Sequence, residues 1–210
     1  MKKVILSFFL LVSAVFATSA QSLIPESVSR WNVTIAIGYN PINFKGQMDY
    51  DMDALSAEVM AEKLISESAS LYVDFGARVQ YAFDSFKSYG DDHKVEMMTF
   101  TIPATFRYSY DFGSTGFSVM PFTGLNLRFN VSAKEKIEGA GGTYEYDFFS
   151  DDDMSQFGMD SWNRVQLGYH SGVAMAYDMF RVTFWYGEEF NDIGDDTGTD
   201  QFGISLGLTF

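Results

Sequence analysis

Gln201-Phe202-Gly203-Ile204-Ser205-Leu206-Gly207-Leu208-Thr209-Phe210 is the stretch on which the fold turns. Side chains of a β-strand alternate between its two faces. Phe202, Ile204, Leu206, Leu208 and Phe210 therefore form one wholly apolar wall, and Gln201, Gly203, Ser205, Gly207 and Thr209 form a small, polar one. No helical period fits this pattern. A strand of this kind lays one face against an apolar medium and the other against polar surroundings.

The same alternation recurs six times upstream. Trp31 to Asn40 sets Trp31, Val33, Ile35, Ile37 and Tyr39 against Asn32, Thr34, Ala36, Gly38 and Asn40. Leu71 to Phe83, Met98 to Tyr110, Phe117 to Val131, Arg164 to Tyr177 and Phe180 to Phe190 repeat it. Their connections alternate in length: 84–94, 132–163 and 191–200 are long and acidic, whereas 111–116 and 178–179 are short. Segment 41–70 reads two ways. Phe44, Met48, Tyr50 and Met52 alternate with Lys45, Gln47, Asp49 and Asp51, which predicts a strand over 44–52 followed by a short helix, since 53–65 is rich in helix formers with Asp53 as an N-cap. Alternatively Leu55, Ala57, Val59, Ala61 and Ile65 alternate and make 53–65 the strand.

At the other end, Lys2 and Lys3 precede the apolar run Val4 to Phe16 and the small residues Ala17-Thr18-Ser19-Ala20. This predicts a secretory signal peptide over 1–20, cleaved near Ala20, and one mature domain over 21–210. There is no Cys, so neither disulfides nor a lipidated cysteine enter. Losing Lys2 and Lys3 leaves 12 basic residues against 28 acidic ones, a net charge of −16. That balance argues against nucleic acid and against polybasic attachment to anionic lipid. No mature run of about 20 apolar residues offers a membrane-spanning helix.

With its signal peptide, dyad-repeat strands and final apolar strand closing on Phe210, the chain resembles the small outer-membrane β-barrel family: porin-like and PorT-like single-domain barrels, with an OmpA-type eight-stranded barrel domain. The resemblance implies an all-β, antiparallel up-and-down transmembrane barrel with long extracellular loops and short periplasmic turns, in the outer membrane of a Gram-negative cell. It also implies that the assembly machinery reads the strand carrying Phe202, Ile204, Leu206, Leu208 and Phe210. Single-chain bacterial barrels have an even strand number, so an eighth strand is expected within 41–70. Two aromatic girdles agree with this topology. Trp31, Tyr108, Tyr110, Phe117, Tyr177, Phe180 and Phe210 fall at the turn ends, and Tyr39, Phe83, Phe129 and Phe190 at the loop ends. A soluble lipocalin-like barrel is the alternative. It would turn the apolar face inward, and Ser29-Arg30-Trp31 lacks the Gly-x-Trp of that class.

In a membrane barrel the polar faces collect Arg78, Arg107, Arg128, Arg164, Arg181 and His170, with Asp74 and Glu189 as counter-charges. Charges in a narrow interior must be paired or hydrated. Further carboxylates come from Asp49 and Asp51 in one placement of the eighth strand, or Glu58 and Glu62 in the other. Eight strands leave room for side chains only. A closed structural, adhesion or interaction barrel is therefore expected, with a narrow anion-selective pore as the alternative.

An enzyme is not expected. Lipid A deacylases of this architecture use a His-x-Ser pair, whereas His170 and Ser171 are adjacent and face opposite sides. No cofactor or catalytic set is apparent, and no metal set either. The loop clusters Asp147, Asp151, Asp152, Asp153, Asp160 and Asp192, Asp195, Asp196, Asp200 lack EF-hand spacing. They read as solvated surfaces that could meet an extracellular ligand or, through divalent ions, lipopolysaccharide.

Overall fold

A computed structural model describes residues 31–46, 50–66 and 68–210. The signal peptide expected over 1–20 lies outside the described residues. The strands are β1 (Trp31–Tyr39), β2 (Ile42–Gly46), β3 (Tyr50–Ser66), β4 (Leu71–Ser88), β5 (Asp91–Tyr108), β6 (Tyr110–Asp111), β7 (Phe117–Gly139), β8 (Gly142–Asp147), β9 (Val165–Tyr177), β10 (Phe180–Glu189) and β11 (Thr197–Thr209). One short helix, α1 (Asp151–Ser155), follows β8.

Eight of these strands close a ring, β1–β3–β4–β5–β7–β9–β10–β11, in which every neighbour is antiparallel. Closure joins the last strand to the first, from Thr34↔Thr209 to Tyr39↔Ile204. A closed ring leaves no unpaired edge, which is the condition for strands to cross a bilayer. Pro103 interrupts one ladder: β4–β5 pairing skips from Phe75↔Ala104 to Arg78↔Thr101, because proline has no N–H to donate.

The eighth strand is β3, not 44–52, and no helix forms over 53–65. Ile42 pairs with Met52 and Phe44 with Tyr50, so the segment 44–52 belongs to two antiparallel strands; 47–49, with Asp49, lie outside the described residues. β3 instead sits between β1 (Leu55↔Tyr39, Glu62↔Asn32) and β4 (Glu58↔Arg78). Helix propensity is worth a few tenths of a kcal/mol per residue, and pairing on both sides overrides it.

Outward residues of the ring are apolar and open: Ile37 is 68% exposed, Phe106 63% and Leu206 59%. Inward residues are polar and closed off, with Glu62 at 1% and Arg128 at 3%. This is the reverse of a soluble ligand-binding barrel. Gly203 shows how tight the inside is, since a Cβ there would lie 2.1 Å from the indole nitrogen of Trp185.

Of the segments expected as long loops, 84–94 is mostly strand, whereas 132–163 and 191–200 are strand only in part and keep long connections over 148–163 and 191–196. β4 and β5 run to Ser88 and from Asp91, β7 runs to Gly139 and pairs with β8, and β11 starts at Thr197. In this extension the polarity of the two faces inverts. Ile42, Phe44, Met52, Ala54, Ala82, Val95, Met97 and Ala133 point inward into a buried apolar cluster. Asp51, Asp53, Lys87, Lys94, Glu96 and Lys134 are exposed outside. A bulge in β7 keeps the inner wall in phase: Asn130 pairs with Thr99 and Ser132 with Met98, leaving Val131 as an extra residue. Membrane-like below and soluble-like above, the strands emerge from lipid into water partway along.

Candidate functional site: a paired lumen beneath an apolar cap

The lumen holds its charges in layers. Nearest the turn end, Glu62 is the hub. Thr34 donates to it at 2.7 Å, the Arg107 guanidinium at 2.7 Å, and Arg181 binds both of its oxygens. Arg107 also donates to Asp74 from Nε at 2.8 Å and lies 4.5 Å from the Tyr72 ring. In the next layer, Arg78 pairs with Glu58 at 2.6 Å while stacking 4.2 Å from the Trp185 ring. His170 Nε2 lies 2.8 Å from the Thr105 hydroxyl, beside Phe122. Toward the loop end, Arg128 pairs with Glu189 at 2.7 Å. Around it run side-chain amides and hydroxyls: Gln80 donates to the Asn40 carbonyl, Thr99 to Gln80, and Gln166 to Thr199.

Four arginines thus face four carboxylates, Glu58, Glu62, Asp74 and Glu189. Burial this deep is tolerable only with such pairing. The cavity left among these groups is about 50 Å³, room for a few waters. Of the residues expected in the lumen, Asp74, Arg78, Arg107, Arg128, His170, Arg181 and Glu189 lie there. Arg164 does not. It precedes β9 at the exposed rim, donates to the Val131 carbonyl at 3.2 Å and stacks 4.4 Å from Phe149. Its place in the alternation is lost because the strand starts one residue later. Glu58 and Glu62 enter through β3, the strand whose position the sequence left open.

Above the lumen, the 148–163 segment folds back into the barrel mouth. Ser150 caps α1 by accepting from the Asp153 N–H, and Met154 is buried beneath it. Trp162 stacks on Phe148 at 4.3 Å and meets Phe44 at 5.5 Å. Ile193, from the β10–β11 connection, is wholly buried in the same cluster. Nothing in local periodicity marks this cap, since its residues come from loop segments separated in sequence.

The acidic clusters divide accordingly. Asp153 accepts from the Asp147 N–H and Asp147 from the Phe149 N–H, so both are spent on the α1 turn. Asp200 belongs to β11, where it pairs with Lys45 and accepts from Asn43 and Tyr186. Asp151, Asp152, Asp160, Asp192, Asp195 and Asp196 are on the surface. Among the described residues no group of three or more His, Cys, Asp or Glu could hold a metal ion.

No protein-family model matches the sequence, and no curated relative matches it either. Solved structures do. Ail, the attachment invasion locus protein of Yersinia pestis, superposes with a TM-score of 0.50 at 13% identity, over 85% of this chain and 98% of that one. Its complex with the heparin analogue sucrose octasulfate gives 0.50 at 14%, over 86% and 99%. Neisserial surface protein A gives 0.46 at 14%, over 86% and 97%. The fold is that of a small outer-membrane β-barrel. An apolar exterior of this kind is stable only in lipid, and the outer membrane is where small barrels of this fold reside. The turn end is then periplasmic and the capped end extracellular.

Proposed function

We propose that this outer-membrane barrel is a closed mount for a folded extracellular cap, with an adhesion or interaction role rather than a transport one. The observation that carries this reading is the lumen: each arginine in it is matched by a carboxylate, and the mouth above is filled by Phe44, Phe148, Trp162 and Ile193. A lumen balanced in charge has no electrostatic reason to pass anions, and one packed with side chains has no path for them. Ail is by name an attachment protein, which supports the adhesive reading at the level of shared architecture. Its anionic ligand does not carry over, because this chain has a net charge of −14 and an acidic cap. A neutral or cationic partner suits the surface of Asp151, Asp152, Asp192, Asp195 and Asp196 better. Insertion would use the outward row that runs from Phe202 along β11 to Phe210 just after it, as the segment presented to the assembly machinery.

The test is single-channel recording of the refolded protein in a planar bilayer. A silent bilayer, with binding to a cell or matrix surface lost when 140–163 is shortened, is the expected result. Anion-selective steps whose preference reverses in Arg128→Glu would replace this reading with a narrow pore.

A further inference from the structure

A second cavity lies in the extension, apart from the lumen network. It measures about 230 Å³ and is lined by Tyr50, Phe86, Phe148, Trp162, Met52, Val95 and Glu135. Cavities of roughly 150 Å³ suffice for a benzene ring, so a substituted aromatic or short branched alkyl group fits. Four of its seven lining residues are aromatic, and one is a carboxylate.

The rings are held in place by one another. Phe86 meets Tyr50 edge-on at 5.8 Å and stacks on His93 at 4.8 Å, while Trp162 is fixed between Phe44 and Phe148. Tyr50 donates its hydroxyl to Asp84 at 2.7 Å, which brings a second carboxylate to the rim. Burial, then that hydrogen bond and the charges of Asp84 and Glu135, push the Tyr50 hydroxyl well above its ordinary range, so it stays a neutral donor. Glu135 Oε1 lies 2.7 Å from His93 Nδ1. Among the described residues no donor reaches its Oε2. Phe86 is 39% exposed and forms the doorway, whereas Met52 and Trp162 are buried at the back.

Aromatic faces carry negative charge density, and a cation enclosed by several of them is held by that quadrupole. A nearby carboxylate adds a charge partner in a partly desolvated site. From this geometry we infer that the cavity is a binding site for a small organic ammonium ion, a quaternary or alkylated amine on an aromatic or branched alkyl body. The ammonium sits between Tyr50, Phe86 and the free oxygen of Glu135, and the apolar body packs on Trp162 and Phe148. The acidity of the chain raises the local concentration of such cations at the mouth.

The experiment uses the full mature chain refolded in a maltoside detergent, because a phosphocholine headgroup carries the cation under test. Benzyltrimethylammonium and its uncharged isostere neopentylbenzene are titrated while the Trp162 indole resonance and the heat of binding are followed. Saturable binding of the cation, about tenfold tighter than the isostere, is expected. Glu135→Gln weakens the cation about fivefold and leaves the isostere unchanged. Phe86→Ala, at a partly exposed rim position, weakens both. Each variant is first shown to keep its heat-dependent gel mobility. Absence of saturable binding by the cation overturns the site. Equal affinity of the two probes, or a cation affinity indifferent to Glu135→Gln, overturns the ammonium assignment.

Discussion

Neutralising Glu62 is the most searching perturbation of the lumen. Its carboxylate accepts from Thr34, Arg107 and Arg181, and it is 1% exposed. Arg107 keeps Asp74 when Glu62 becomes Gln, but Arg181 has no other carboxylate partner among the described residues. Removing one partner of a buried pair costs about 3–5 kcal/mol. The Arg181 side chain is 11% accessible, against 4% for Arg107, so water relieves part of that cost and about 3 kcal/mol is expected for Glu62→Gln. Arg181→Gln leaves Glu62 and Asp74 sharing Arg107 and should cost less, about 2 kcal/mol, because neither buried carboxylate is stripped of its charge-assisted hydrogen bond. The double variant removes one charge of each sign. Its cost should fall below the sum of the singles by about 2 kcal/mol, the range of coupling found within such networks. Urea unfolding in lipid vesicles, followed by tryptophan fluorescence and by the folded band on unheated gels, measures all three. A Glu62→Gln variant within about 0.5 kcal/mol of the parent, or strict additivity, would show that the lumen is wet enough for its pairs to behave like surface ones, worth about 0–1 kcal/mol.

Other expectations separate lipid, water and cap. Leu125→Arg, at a 53% exposed outward position, should cost about 2–4 kcal/mol and depress the folded yield, whereas Lys94→Leu in the extension should stay within about 0.5 kcal/mol by the same gel assay. Trp162→Ala should cost the cap about 3–5 kcal/mol and open 140–163 to protease while the barrel keeps its heat-dependent mobility. Simultaneous loss of that mobility would mean the cap and barrel fold as one unit. On the β7–β8 hairpin, the hydrogen bond from Lys134 holds the Glu145 carboxyl below its ordinary range. A depressed folded value contributes stability above the unfolded one and loses it as pH falls through the folded one. This pair lies on the surface, so Lys134→Ala should move the Glu145 titration upward by NMR with no resolvable change in unfolding.

Legibility of the chain varied with the kind of information each region carries. Period-two alternation in 31–40, 71–83 and 201–210 is local, and it survives into the structure unchanged. Segment 53–65 was ambiguous because Ala, Glu, Lys and Leu favour a helix while their spacing also suits a strand. Pairing with β1 and β4 resolved it. Glu62, the hub of the charge network, was hidden by the same ambiguity. Arg164 misled because alternation does not say where a strand begins. The extension escaped notice for a different reason. Its charged residues face water and its apolar ones face inward, so the hydrophobic wall that marks the membrane strands is on the other side.

By itself the sequence determined the strand period, the outward apolar wall and the stock of charges that had to be buried in pairs. Those properties depend on neighbours along the chain and on the cost of leaving an ion unpaired. Tertiary structure alone decided which carboxylate meets which arginine, the height at which the strands leave lipid and invert their faces, and the closing of the mouth by Phe148, Trp162 and Ile193. Each of these depends on register across the ring, and register is set by pairing between strands far apart in the chain.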